Sequence, residues 1–343
     1  MAVAAPARKA GSKRPKKVKV WKSPDEGQGR LAALMLSPTL LVLLLVIGLP
    51  ILVAIRQSFY TAGGIDASGF VVEGDTFNGI KNYTDIFSGD SADRFWNAFY
   101  VTTMFTVVCV TIETFIGMAM ALIMNRAFRG RGLIRASILI PWAVPTVVSA
   151  LLWAWIFDAN GIANDLLNQQ ILWSTDGIQA QLAVIIADTW KTAPFIGLLV
   201  LAGLQVIPEE VYEAAKIDGS STWNSFVHIT LPLVKPALLV AVLFRILDNL
   251  RMFDLPFVLI GSGKDSVETL SILAFLESTN TRFGPASAYA VVLFLYIVVV
   301  AFAFVRLLGA DVIGDAGSKK KIKPVKGSKR SKVGRSVAKG DTP

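Results

Sequence analysis

The sequence predicts an all-α membrane protein that crosses the bilayer six times. Three observations carry this expectation. Only 17% of the 343 residues are charged and 53% are hydrophobic, whereas ordinary soluble domains carry about 25% charged residues. Apolar runs long enough to cross hydrocarbon recur along the chain. The segments between them alternate between rich and poor in lysine and arginine. The net charge of +9 is concentrated at the two ends. It therefore describes tails, with no folded basic module, and no nucleic-acid partner is expected. The single cysteine, Cys109, lies inside an apolar run and has no mate for an intrachain disulfide. With one histidine beside it, no metal site is expected.

Residues 1–30 form a basic arm (Lys13-Arg14, Lys16-Lys17, Lys19) that reads as disordered and suited to anionic lipid head groups. Residues 31–55 carry no charge. At 1.5 Å per residue they reach about 37 Å, enough to span with tilt, and Pro38 and Pro50 are expected to kink them. The run is too long for a cleaved leader and ends in no small-residue cleavage site. Residues 56–93 are polar and acidic, including Asp66, Glu73, Asp75 and Asp85. Span 2 covers 95–124, interrupted by Glu113, with Gly117, Ala119 and Ala121 offering close helix packing. Arg126, Arg129, Arg131 and Arg135 mark a short basic turn. Span 3 covers 138–157 with Pro141 and Pro145 inside it. Residues 158–180 are acidic and turn-rich. Span 4 covers 182–207, span 5 covers 237–260 and span 6 covers 286–308. Residues 309–343 are a second basic tail that reads as disordered. The basic segments alternate so that both termini face the cytoplasm.

One polar stretch between spans 4 and 5 looks folded. Pro208 opens a helix, with Glu209 and Glu210 where negative charge suits its N-terminus. Val211, Ala214 and Ala215 form one small apolar face. Gly219 breaks the helix. Ser221 or Thr222 caps a second short helix carrying Trp223, Phe226 and Val227, and Pro232 and Pro236 end it.

Glu213-Ala214-Ala215, Gly219, Ile229 and Leu231-Pro232, at these spacings, resemble the "EAA" loop of permease subunits from binding-protein-dependent ABC importers. Asn78 to Tyr83 resembles the G-x-x-N-Y element ahead of span 2 in sugar permeases. Ile140 to Pro145, Trp190 to Phe195 and Phe244 to Pro256 resemble the maltose/trehalose-type subgroup. The resemblance covers roughly residues 31–308 and implies the type I ABC importer permease fold. It further implies that the loop, 208–236, couples to a cytoplasmic ATPase through Glu213, Ala214, Ala215, Asp218, Gly219, Ile229, Leu231 and Pro232, with Trp223 and Phe226 anchoring the second helix to the membrane domain. The implied partners are a second, different permease subunit, two copies of the ATPase and an extracytoplasmic sugar-binding protein. The implied location is a bacterial inner membrane. ATP and magnesium belong to the ATPase subunits, and this chain carries no cofactor. No phosphate loop or hydrolase motif is present: Gly261-Ser262-Gly263-Lys264 is followed by Asp265 and lacks the upstream glycine. Trehalose, then maltose or another disaccharide, is the expected solute, with glycerol phosphate as the competitor. A secondary transporter or a membrane scaffold remain as other classes.

Charge inside the spans is expensive, about 2.5–3.5 kcal/mol per group at mid-bilayer, so it must face protein or water. In span 5, Arg245, Asp248, Arg251 and Asp254 recur every three residues. They either pack the bundle by salt bridges or form a polar wall or gate of the solute path. Asp188 and Lys191 in span 4 are either an intrahelical pair or part of the same cavity. Glu113 reads as a packed polar contact. Trp153, Trp155, Trp190, Phe195, Phe253 and Phe257 serve either as an interfacial belt or, beside Asp248 and Asn249, as surfaces for sugar rings.

Overall fold

A computed structural model of the protein describes residues 25–60, 64–65, 71–72 and 76–309. The expected arm up to residue 24, the acids Asp66, Glu73 and Asp75, and the tail from residue 310 lie outside the described residues. Residues up to Gln57 form one unit and those from Ser58 a second. Among the described residues five helices are long and apolar enough to cross a membrane, or six when a bent pair is taken as one span.

In the first unit, α1 (Asp25–Leu43) begins ahead of the expected residue 31. It passes through a π-helical stretch, Leu44–Gly48, into α2 (Leu49–Gln57). Just before Pro50 the helix takes this wider register, in which the N–H of Leu49 bonds the carbonyl of Leu44. A five-residue register lets carbonyls ahead of a proline reach past its missing N–H.

The second unit opens with a two-residue antiparallel ladder, β1 (Gly64–Ile65) on β2 (Val71–Val72). Next comes α3 (Lys81–Ser88). Asn82 holds its start by donating to the carbonyls of Ser58 (2.8 Å) and Tyr60 (2.9 Å). α4 (Ala92–Asn125) is span 2, and Arg135 closes it by donating twice to the carbonyl of Met124 (3.0 and 2.7 Å).

Span 3 is not one helix. α5 (Arg131–Ala143) and α6 (Thr146–Ile156) meet at 94°. Pro145 is the cause, because it drives Val144 into extended backbone (ψ 134°). Pro141 is carried inside α5 without a break. α7 (Ile162–Leu167) follows in a turn-rich segment, and α8 (Ile178–Leu204) is span 4. Asn164 is the hub of that segment. Its amide donates to the carbonyls of Ala159 and Ile171 (3.0 Å each), and its oxygen accepts from the Trp173 indole (2.9 Å). Asn164→Ala orphans the buried Trp173 indole N–H at about 1–3 kcal/mol and frees the carbonyls of Ala159 and Ile171, which lie nearer solvent. Hydrogen exchange over residues 158–173 is expected to accelerate while α8 stays protected.

The polar stretch folds as α9 (Glu209–Ile217), α10 (Thr222–Ser225) and a π-helical stretch, Phe226–Thr230. It continues without a break into α11 (Leu231–Asn249). The expectation that Pro232 and Pro236 end the second short helix is therefore corrected. Pro232 sits in the first turn of α11, and the N–H of Leu231 bonds the carbonyl of Phe226, the same device seen before Pro50. Span 5 breaks elsewhere, between Asn249 and α12 (Asp254–Leu259). Then come α13 (Leu270–Thr279), a short apolar helix absent from the sequence expectation, and α14 (Phe283–Phe304), which extends through a π-helical stretch as span 6.

α4, α8 and α11 pack along one another. One buried cluster, toward the α9–α10 end, joins Met118, Met124, Ile196, Leu204 and Val234. A second, at the far end, joins Phe105, Cys109, Ala187, Met252 and Leu255. α4 and α8 approach closely through Gly117, where an added Cβ would lie 2.8 Å from Cβ of Ile196 and 2.9 Å from the carbonyl of Ala193.

Candidate functional site

Two regions gather the candidate residues. The first is the elbow between α9 and α10. Gly219 has φ +76°. The N–H of Gly219 bonds the carbonyl of Lys216 (3.1 Å) and that of Ser220 bonds Ala215 (2.9 Å). This paired closure consumes the last carbonyls of α9 and needs a left-handed residue at the corner. Ser221 then caps α10, its oxygen accepting from the N–H of Asn224 (3.2 Å). Ser220 ties the arms, accepting from Asn224 Nδ2 at 2.9 Å and meeting the hydroxyl of Ser225 at 3.1 Å. The result is a preformed cleft of about 470 Å³ lined by Val211, Ala214, Ala215, Asp218, Gly219, His228 and Ile229, among others. Glu213 is exposed outside this lining, and Leu231 and Pro232 form its foot on α11. Phe226 packs on the cluster below. Trp223, expected to anchor with it, is 73% exposed and meets the Phe226 ring at a tilt, 5.6 Å away. Phe226, at the start of the π-helical stretch, takes the bundle-facing position one turn on.

The second region is a cavity of about 280 Å³ where the broken helices meet. Asp188, Lys191, Arg245, Asp248, Asn249, Arg251, Phe253 and Asp254 all line it, with Thr146, Thr192, Met252 and Leu255. Their pairing differs from the expectation. Arg245 Nε donates to Glu113 Oε2 (2.7 Å). Its Nη2 reaches Glu113 Oε1 (3.0 Å) and Asp188 Oδ2 (2.9 Å), and its Nη1 reaches Asp248 Oδ2 (2.7 Å). Thr192 adds a donor to Glu113 Oε1 at 2.7 Å. Asp188 and Lys191 are not an intrahelical pair, because Lys191 Nζ donates to the carbonyl of Val144 (2.8 Å). That carbonyl is freed by the break between α5 and α6, and Lys191 caps it. Met252, at the other break, is capped alike by the hydroxyl of Thr269 (2.7 Å). Arg251 pairs with Asp248 (3.3 Å), but the run of four charges is not one helix face, since α11 ends at Asn249. Asp254 instead opens α12, and among the described residues no ion pair reaches it.

Asn249 is 1% exposed, and neither its amide nitrogen nor its oxygen has a protein partner. Of the six aromatic candidates only Phe253 lines the cavity, stacked on Phe257 (5.0 Å). Trp155 is 74% exposed, and Trp153 is taken up by Phe157 and Trp190. Glu113, which sequence reasoning kept apart as a packed contact, is fully buried and supplies the central carboxylate. Cys109 Sγ and the carboxylates of Glu113 and Asp188 lie within 4.8 Å of one another, and the Arg245 guanidinium brings the positive charge there.

Beyond the cavity, a clasp holds residues 261–268 to the start of α8. The N–H of Ser266 donates to Asp176 Oδ1 (2.9 Å), the N–H of Gly177 to the hydroxyl of Ser266 (2.9 Å), and the side chain of Gln181 to the carbonyl of Ser266 (3.0 Å). Hydrogen bonds from Ser266 hold the Asp176 carboxyl below its ordinary value. Arg94 bridges Glu268 (2.6 Å) and Glu277 (3.5 Å) beside it.

Residues 113–314 match the model of the family described as binding-protein-dependent transport system inner membrane component. The chain is 41% identical to the trehalose/maltose transport system permease protein MalF of Thermococcus litoralis, over 82% of this chain and 93% of that protein. It is 38% identical to the trehalose transport system permease protein SugA of Mycobacterium tuberculosis (84% and 92%). It is 35% identical to the sulfoquinovosyl glycerol transport system permease protein SmoG of Agrobacterium fabrum (83% and 92%). In fold it is similar to a chain of a bacterial ABC transporter involved in alginate import, with TM-score 0.69 and 18% identity over 85% of this chain and 97% of that one.

Proposed function

This chain belongs to the family of binding-protein-dependent transport system inner membrane components, and from that premise we propose that it is a permease subunit through which a neutral disaccharide, trehalose first and maltose next, enters the cell at the expense of ATP. The observation that carries the coupling part is the elbow. A rigid corner and a preformed cleft stand at the tip of two membrane-crossing helices. Such a tip suits docking on a separate ATPase, and the chain itself has no phosphate loop. Glu213, Ala214, Ala215, Asp218, Gly219 and Ile229 form the docking surface, with Leu231 and Pro232 joining it to α11. The chain performs no hydrolysis. ATP and magnesium stay on two ATPase subunits, a second permease completes the path, and an extracytoplasmic sugar-binding protein delivers the solute. The membrane is the bacterial inner membrane, with both termini and the elbow on the cytoplasmic side, a reading that the lysine and arginine distribution supports.

The cavity supports a neutral solute. Every cation lining it is already engaged: Arg245 by three carboxylates, Lys191 by a carbonyl, Arg251 by Asp248. A phosphate or sulfonate entering there meets Asp248 and Asp254, and the cations it could reach, Lys191 and Arg251, each already hold a protein partner. Asn249 offers an unused donor and acceptor beside the Phe253 ring, which suits hydroxyls on a sugar face. The test is ATP hydrolysis by the purified complex with its loaded binding protein, across trehalose, maltose and glycerol phosphate. Stimulation by a neutral disaccharide is expected. Stimulation by glycerol phosphate alone overturns the substrate assignment, and transport driven by a proton gradient without ATP overturns the importer assignment.

A further inference from the structure

The two arms of the elbow continue into different helices, and those helices meet again deep in the bundle. α9 follows closely on α8, and α10 runs unbroken into α11 as the single helix Thr222–Asn249. The elbow is therefore the tip of a hairpin whose legs extend about 24 Å on α8 to Asp188 and about 35 Å along the continuous helix Thr222–Asn249 to Arg245, at 1.5 Å per residue. There Arg245 closes the hairpin on Asp188 and reaches Glu113 on α4 with two further bonds. The three side chains are 4%, 8% and 0% exposed. Asp248 and Arg251, on the cavity side, are 55% and 69% exposed. The charged group thus has a secluded core and a solvated arm.

Each of the three helices passes from the elbow-side cluster to the far cluster at its charged residue: Met118 to Cys109 on α4, Ile196 to Ala187 on α8, Ala241 to Met252 beyond α11. Both helix breaks are tied close to that level. α11 ends at Asn249, just beyond it, and the break at Val144 is held by Lys191, one turn to the elbow side of Asp188 on α8. A guanidinium fork bound on several sides fixes distance and angle together, which a single point charge does not.

We propose that Arg245, Glu113 and Asp188 act as a weld, even though Arg245 and Asp188 also edge the cavity: they make α4, α8 and α11 one block, so that displacement of the elbow arrives at the two helix breaks. This rests on the importer reading above. Arg245 is then a positioning residue. Its loss uncouples ATP turnover from solute movement and leaves docking at the elbow intact.

The experiment uses the complete importer in proteoliposomes with its loaded binding protein, and reads ATP hydrolysed and solute accumulated in the same vesicles. The main variant is Arg245→Lys, which keeps the charge and removes the fork. The triple variant Glu113→Gln, Asp188→Asn and Arg245→Met removes the three charges together and guards against misfolding by an uncompensated buried ion. Assembly and melting temperature are matched to the parent. The expected result is stimulated ATP hydrolysis within about twofold of the parent and solute per ATP reduced about tenfold, the scale of a coupling interaction. Unchanged solute per ATP in both assembled variants overturns the weld. ATP hydrolysis and transport falling together in assembled variants also overturns it and assigns Arg245 to the solute surface. A parent complex with no stimulated ATP hydrolysis removes the importer reading itself, and the weld with it.

Discussion

Gly219→Val is expected to leave the importer assembled and to lower its solute-stimulated ATP hydrolysis about tenfold or more. An added Cβ meets nothing within 4 Å, so crowding is not the cause. The cause is φ +76° at the corner. A left-handed conformation costs an ordinary residue roughly 1–2 kcal/mol, and a β-branched one more. Since about 1.4 kcal/mol is a factor of ten, the corner loses most of its population, and the two bonds that close α9 onto Lys216 and Ala215 go with it. Asparagine tolerates this backbone, so Gly219→Asn is expected to retain most activity. The comparison separates backbone strain from side-chain chemistry. Equal activity in the valine and asparagine complexes would sink the corner as the coupling element. The phenotype also contrasts with that expected at Arg245, where hydrolysis persists and transport is lost.

Gly117→Leu is expected to abolish accumulation of folded permease. At this residue α4 and α8 approach so closely that even a Cβ would lie 2.8 Å from Ile196 and 2.9 Å from a backbone carbonyl. Gly197 repeats the approach from the other side, its added Cβ falling 3.2 Å from the carbonyl of Gly117. Membrane helices rely on such small-residue contacts, since lipid offers no hydrophobic drive to bring them together. Overpacking costs about 1–3 kcal/mol where neighbours can yield, and a backbone carbonyl cannot yield without moving the helix. The shift would also pull Glu113, one turn away, from Arg245. Gly132→Leu, at an open position on α5, is the control and should melt like the parent. Detergent melting by size exclusion reads both, and equal melting of the two would refute the close-packing argument.

The spans, the elbow and the small-residue face were legible because their signals are local. Long apolar runs gave the spans, Gly219 the corner, Ser221 or Thr222 the cap, of which the structure uses Ser221, and Gly117 the close contact. Proline was legible only in part. Pro145 breaks span 3 by restricting Val144, whereas Pro50 and Pro232 are absorbed by π-helical stretches just before them. The break after Asn249 has no glycine or proline to announce it. It is held by Thr269, seventeen residues on, donating to the carbonyl of Met252. All eight path candidates do line one cavity, because charge in a span must turn inward. The partners were illegible, since Glu113 and Arg245 lie 132 residues apart and no periodicity links them.

The π-helical stretch Phe226–Thr230 has a consequence for angle. Such a stretch is one residue inserted into an α-helix. Each α-helical residue turns the chain by about 100° around the axis, so the inserted residue sets the azimuth at which the cleft points relative to the Arg245 fork. The cleft-lining His228 and Ile229 lie within the stretch, so it sets one wall of the cleft as well as that azimuth. Removing one residue within 226–230 would leave the ion cluster in place, disturb that wall and swing the rest of the cleft around the helix axis. An elbow grafted onto another permease must therefore bring this stretch with it to face the same way.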